Sequence, residues 1–157
     1  MAMFRPTMMP SHVNCVAKLK MMKDMTQIDR LNPVARRAWK RLESDFPLWV
    51  AYLDIRNGEL EFALPAPSGS NAGHLVVFSD KSDLWVRFSP PYMCYSVDDE
   101  DEMVSIIKQL TADEAVFKVI TKDAEWVETT LTKPREKCEA IPGHSVRLVS
   151  WSGRFDW

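Results

Sequence analysis

The sequence predicts an α+β fold: a largely antiparallel β-sheet with two main helices packed on one face. Three observations carry this. Two segments place apolar residues at helical spacing. Several short segments are β-branched, aromatic or strictly alternating, as half-buried strands are. Short turns join those segments, which implies antiparallel pairing and not alternating βα units.

Asn32-Pro33 opens the first helix, over residues 33–45. Asparagine is a favoured N-cap, and proline is tolerated at the first helical position, where its missing N–H is no loss. Val34, Ala38, Trp39, Leu42 and Phe46 make an apolar stripe, Arg36, Arg37, Lys40 and Arg41 lie opposite, and Pro47 stops the helix. Residues 49–55 are β-branched and aromatic, hence strand-like. Asn57-Gly58 follows, a strong hairpin signal because a type I′ turn needs φ > 0 twice. The return strand, 59–64, alternates Leu60, Phe62 and Leu64 with Glu59, Glu61 and Ala63.

Residues 65–73 hold two Pro, two Gly and two Ser, and read as a loop. A strand over 74–78, a turn over 80–83 and a partner strand over 84–88 come next, ended by Pro90-Pro91. The second helix starts in the acidic run Asp98 to Glu102, with Ser96 or Asp98 as its cap. Met103, Ile106, Ile107 and Leu110 give its apolar face. A hairpin of 115–121 and 125–131 turns at Lys122-Asp123. A last strand, 145–151, follows Pro142-Gly143.

The chain's 157 residues suit one domain. Its 46% apolar and 27% charged residues are globular values and exclude disordered and low-complexity classes. No apolar run reaches the ~18 residues of a membrane helix, so no membrane partner is expected. Seven of the nine Met fall in the first 25 residues, without the unbroken apolar stretch of a secretory signal. Residues 1–25 read as a flexible N-terminal leader and 26–157 as a single α+β domain.

The net charge of −2 hides an asymmetry: residues 1–47 carry 9 basic and 4 acidic side chains, a net of +5, and residues 48–157 carry 11 and 18, a net of −7. An acidic body repels phosphate backbones, so no nucleic-acid partner is expected. Cys15, Cys94 and Cys138 are odd in number and widely spaced, which suits reduced thiols in a cytoplasmic protein, and not a disulfide framework or zinc knuckle. His12, His74 and His144 are isolated. No metal site, no cofactor and no phosphate-binding or nucleophile-elbow motif is read.

Asp98, Asp99, Glu100, Asp101 and Glu102 have two readings. Two or three acids would complement a helix dipole. Five in succession repel one another, and a basic partner would relieve that. Trp85, Tyr92 and Tyr95 lie near the run, and aromatics beside charge serve as interface anchors or fill the core. Trp126 and Glu128 share one side of their strand, opposite Val127 and Thr129; with Val127 inward, Trp126 is exposed. Arg87 joins the candidate interface. A rival set for an enzyme or ligand-binding cleft is Cys94, His74 and Arg87, in which a cysteine would need a neighbouring base.

Gly73-His74, the run Trp85-Val86-Arg87-Phe88-Ser89-Pro90-Pro91 through Tyr95-Ser96-Val97-Asp98, Glu125-Trp126-Val127-Glu128-Thr129-Thr130-Leu131, and Ser150-Trp151-Ser152-Gly153 together resemble small bacterial immunity proteins encoded beside Rhs-type polymorphic toxins. The likeness covers about half of the chain. It implies a non-enzymatic cytoplasmic inhibitor whose partner is a cognate protein toxin with a basic surface, blocked at its active site or substrate approach. A self-associating module with an exposed strand edge is a third reading.

Overall fold

The computed structural model describes residues 28–89, 94–136 and 139–157. The leader read over 1–25, the Pro90-Pro91 stop, Tyr92, Cys15 and Cys138 lie outside those residues. The fold is α+β, as the pattern predicts, with its strands in two antiparallel sheets instead of one.

Helix α1 spans Pro33–Asp45. The Asn32 side chain caps it, its Oδ1 accepting from the Ala35 amide at 2.8 Å. Asn32 also donates through Nδ2 to Glu59 at 2.8 Å, so the cap ties the helix to the sheet. Ala35, Ala38, Trp39 and Leu42 are its buried face. The strand expected over 49–55 is largely replaced by a 3-10 helix, Pro47–Tyr52. The same aromatics that suggest a strand account for the turn. Trp49 stacks on Phe46 with centroids 4.6 Å apart and lies 6.2 Å from Phe62, so the segment folds back over the core. Packing here overrides local β preference.

Strand β1, Leu53–Arg56, then pairs with β2, Glu59–Pro65. Asn57 (φ 54°) and Gly58 (φ 81°) take the left-handed conformations of the expected tight turn. Strands β3 (His74–Asp80), β4 (Asp83–Phe88) and β5 (Cys94–Val97) continue a meander in the order β1-β2-β3-β4-β5. Register places Phe62 opposite Val77, Val77 opposite Val86, and Leu75 opposite Phe88. These residues, with Leu60, Leu64 and Leu84, form one continuous buried face.

Helix α2, Glu100–Thr111, packs beside α1 on that face. Its N-cap is Asp99, not Ser96 or Asp98. Arg37 meets Glu100 while Lys108, eight residues further along α2, meets Asp45, eight further along α1. The two helices therefore run in the same direction.

The second sheet has the order β7-β6-β8, from β6 (Val116–Lys122), β7 (Glu125–Thr132) and β8 (Ser145–Val149). It joins the main core through Phe117, whose ring meets Phe88 edge-on at 4.9 Å. Strand β8 stops at Val149, two residues short of expectation, because Ser150 starts a turn. Its amide and hydroxyl both donate to Asp156 Oδ1, at 2.7 and 2.9 Å.

Candidate protein-binding face

The acidic run is largely matched from within. Asp99 Oδ1 accepts from the Glu102 amide at 2.8 Å, and Glu102 Oε2 accepts from the Asp98 amide at 2.6 Å. The pair is a variant of the capping box in which Glu102 returns to the amide of Asp98, one residue before the Asp99 cap. Glu100 takes Arg37 Nε at 2.7 Å, and Asp101 takes Arg41 Nη2 at 2.9 Å. Among the described residues Asp98 is the one acid of the five whose side chain has no such role.

Two of the four cations opposite the apolar stripe of α1, Arg37 and Arg41, are thus half of an interhelical ladder, which Asp45 extends through Arg41 at 2.8 Å and Lys108 at 2.9 Å. The hydrogen bond from Lys108, with the charges of Arg41 and Lys108, holds the Asp45 carboxyl below its usual range against a smaller opposing pull from burial. Exposed pairs of this kind add little to stability, because solvent screens them.

The helices leave the other face of the five-stranded sheet uncovered by either of them. Strand alternation sets who stands there. One row reads Glu61, Phe78, Trp85, Ser96, and the next reads Ala63, Val76, Arg87, Cys94. Phe78 and Trp85 stack at 6.3 Å with planes 11° apart. The Arg87 guanidinium lies 5.7 Å from the Phe78 centroid, and its Nη1 donates to the Ser89 carbonyl at 3.1 Å. Arg56, Glu61, Val76, Phe78 and Arg87 help to line a groove of about 200 Å³ there.

Trp85 and Arg87 are therefore brought together. Phe78, absent from the sequence reading, completes them. Its signal was available, since it shares parity with His74 and Val76 and not with the core residues Leu75 and Val77. Tyr95 is not part of this face. It pairs with Val86 and packs partly buried against the core.

Cys94 and Arg87 are direct cross-strand partners. Burial raises the Cys94 thiol above its usual value, and the Arg87 charge offsets this only in part. The thiol form, a weak nucleophile, therefore dominates at neutral pH. His74 shares the face, with Nδ1 3.2 Å from Ser89 Oγ. It stands on β3, so β4 separates it from Cys94 by roughly two strand spacings, about 10 Å. Among the described residues no group of three or more His, Cys, Asp or Glu is placed to hold a metal.

Trp126 and Glu128 sit on β7, in the other sheet. A bulge there pairs Thr121 with Trp126 and Ile120 with Glu128, leaving Val127 as the extra residue. Trp126 is 49% and Val127 47% exposed, so exposure of one does not bury the other. Trp126 Nε1 donates to Thr129 Oγ1 at 2.9 Å, which fixes the ring along its own strand.

Two of the segments behind the family resemblance have structural work. Gly73 (φ 68°) lies so close to β4 that a Cβ there would stand 2.8 Å from Ser89 Cβ. Gly153 (φ 78°) passes Ser70 less tightly, a Cβ there standing 3.2 Å from Ser70 Cα. Ser70 Oγ donates to the Ser150 carbonyl, and Asn71 Nδ2 donates to Asp156 Oδ2 at 2.9 Å. These contacts fasten the 65–73 loop to the chain's last residues.

No family model, curated protein or solved structure matches the chain. Among the described residues no helix is long and apolar enough to cross a membrane.

Proposed function

We propose that this chain is a non-enzymatic immunity protein that binds a cognate toxin domain in the cytoplasm and occludes its active site or substrate approach. The observation that carries the reading is the helix-free sheet face. Its centre is Trp85 stacked on Phe78 with Arg87 over the same ring. Aromatic and arginine anchors inside a polar rim are the anatomy of protein interfaces. Asp54, Glu61, Asp80 and Asp83 stand on this side, with Arg56 pairing the first two at 3.1 and 3.6 Å. Asp80 and Asp83 are direct register partners, a like-charge juxtaposition that a basic partner would relieve.

The anchor therefore moves from the α2 start, where most acids already have partners, to the sheet. Asp98, Trp126 and Glu128 remain available at other edges. The rival set of Cys94, His74 and Arg87 has less support, since its cysteine is a protonated thiol and β4 stands between it and the histidine.

The test is affinity capture of the tagged full chain from its native cells, read by mass spectrometry, with growth rescue by co-expression. The expected result is one near-equimolar partner carrying a toxin-like C-terminal domain whose toxicity this chain suppresses. Trp85→Ala with Arg87→Ala should weaken capture by at least about 2 kcal/mol, roughly thirtyfold. Its far-UV dichroism should match wild type, because neither side chain belongs to the main core. Capture of no protein, or rescue that persists in the double variant at equal affinity, would overturn the reading or this face respectively.

A further inference from the structure

Sheet edges expose unpaired amides and carbonyls, and a folded chain must close them or offer them to a partner. Strand β1 closes its own edge. The Leu53 amide donates to the Val50 carbonyl, and the Ile55 amide donates to Asp54 Oδ1 at 2.9 Å. Strands β5 and β7 come against each other, and β7 carries its bulge at Val127. Strand β8 is closed differently, by a segment that loops back beside it. The Leu148 amide donates to the Trp157 carbonyl at 3.0 Å, and the Trp157 amide donates to the Leu148 carbonyl at 3.3 Å. Such a two-way exchange is the pattern of residues directly opposed in antiparallel strands. Trp157 thus stands in the lane that a neighbouring strand would take.

One carboxylate holds the segment there. Asp156 Oδ1 accepts from the amide and hydroxyl of the fully buried Ser150, and Oδ2 accepts from Asn71 Nδ2. The Phe155 amide donates to Ser150 Oγ at 3.1 Å, and the Ser152 amide donates to Asp113 Oδ1 at 3.0 Å. Trp157 itself is 59% exposed, so its ring adds little burial. The closure is polar and local, the kind of contact that opens without unfolding a core. Behind it, Leu148 and Val146 point their amides and carbonyls the same way, since strand residues two apart share an edge. Among the described residues nothing bonds those of Val146 on that side.

We propose that residues 152–157 are a latch that keeps the chain monomeric, and that β8 of a second copy takes the edge once the latch opens. A two-fold axis at Val146 sets Val146 against its own counterpart and Arg147 against Ser145, so no like charges meet. An axis at Arg147 would oppose two arginines, which selects the first register. The latch is independent of toxin binding, because β8 and the Trp85 face lie in different sheets.

The test is sedimentation velocity of the full chain beside amide exchange at Leu148 followed by NMR. Wild type should run as a monomer with a protected Leu148 amide. Asp156→Ala should speed that exchange about tenfold or more when dilute, and double the mass when concentrated. Trp157→Pro deletes one of the two paired bonds and leaves Asp156 in place. It should do the same, and it decides alone should Asp156→Ala fail to fold. Val146→Pro added to either variant should return the monomer, because that amide faces outward and its loss costs β8 no bond to β6. A wild-type dimer, an unchanged mass in the folded variants, an unmoved Leu148 amide, or a dimer that survives Val146→Pro would each overturn the proposal.

Discussion

Single residues decide where the chain turns, and most of those choices were legible. Asn32-Pro33 and Asn57-Gly58 are local signals: a side-chain cap and two positive φ angles need nothing beyond their neighbours. Asp99 was missed although Glu102 lies three residues on, the spacing a capping box requires. Gly73 could not be read, because its requirement comes from Ser89, one residue past the end of β4. Gly73→Ala adds a left-handed alanine and a Cβ at 2.8 Å from Ser89, while Gly69→Ala at φ 88° adds the backbone cost with nothing within 4 Å. The backbone term alone is about 1–2 kcal/mol. Urea unfolding should therefore place Gly73→Ala below Gly69→Ala by about a further 1 kcal/mol. Equal losses would mean that Ser89 simply moves aside.

At the scale of elements, amphipathic period located both helices and most strands, while residues 49–55 misled. Their β-branched and aromatic content suits a pleated surface, but Phe46 and Phe62 offer Trp49 a closer stack in a 3-10 turn. A consequence is Leu48, which is left 89% exposed. The pairing of α1 with α2 was equally hidden, since charges 63 residues apart carry no mark of meeting. Asp45 tests that pairing. Its folded carboxyl titrates below its ordinary value of 3.8. The stabilisation it gives is thus fully present above that ordinary value and is lost as pH falls through the lower folded one. Lys108→Ala should move the Asp45 titration, followed by side-chain carboxyl NMR, back up toward its ordinary range. An unmoved Asp45 would show that the lysine does not hold it in solution.

For the molecule as a whole, the sequence yielded the fold class but not the division into two sheets. Hairpins are local and were found; which hairpins share a sheet depends on how the chain crosses after α2, and no residue pattern records that. The candidate face was half legible for the same reason: Trp85 and Arg87 share one strand, whereas Phe78 joins them only through register. The charge asymmetry between the two parts of the chain now has a spatial meaning, because part of the positive segment lies folded against part of the negative one. The ladder acts as a shield. Arg37 and Arg41 are neutralised at close range, so little of their field extends outward. Glu100→Gln with Asp101→Asn should strip most of that shield and leave Arg37 beside Lys40 as bare cations, with Arg41 held by Asp45 alone. Such a variant should be retained on a heparin column at low salt where the parent flows through. An affinity for polyanions is thus latent in the fold, silenced by the acids of the neighbouring helix.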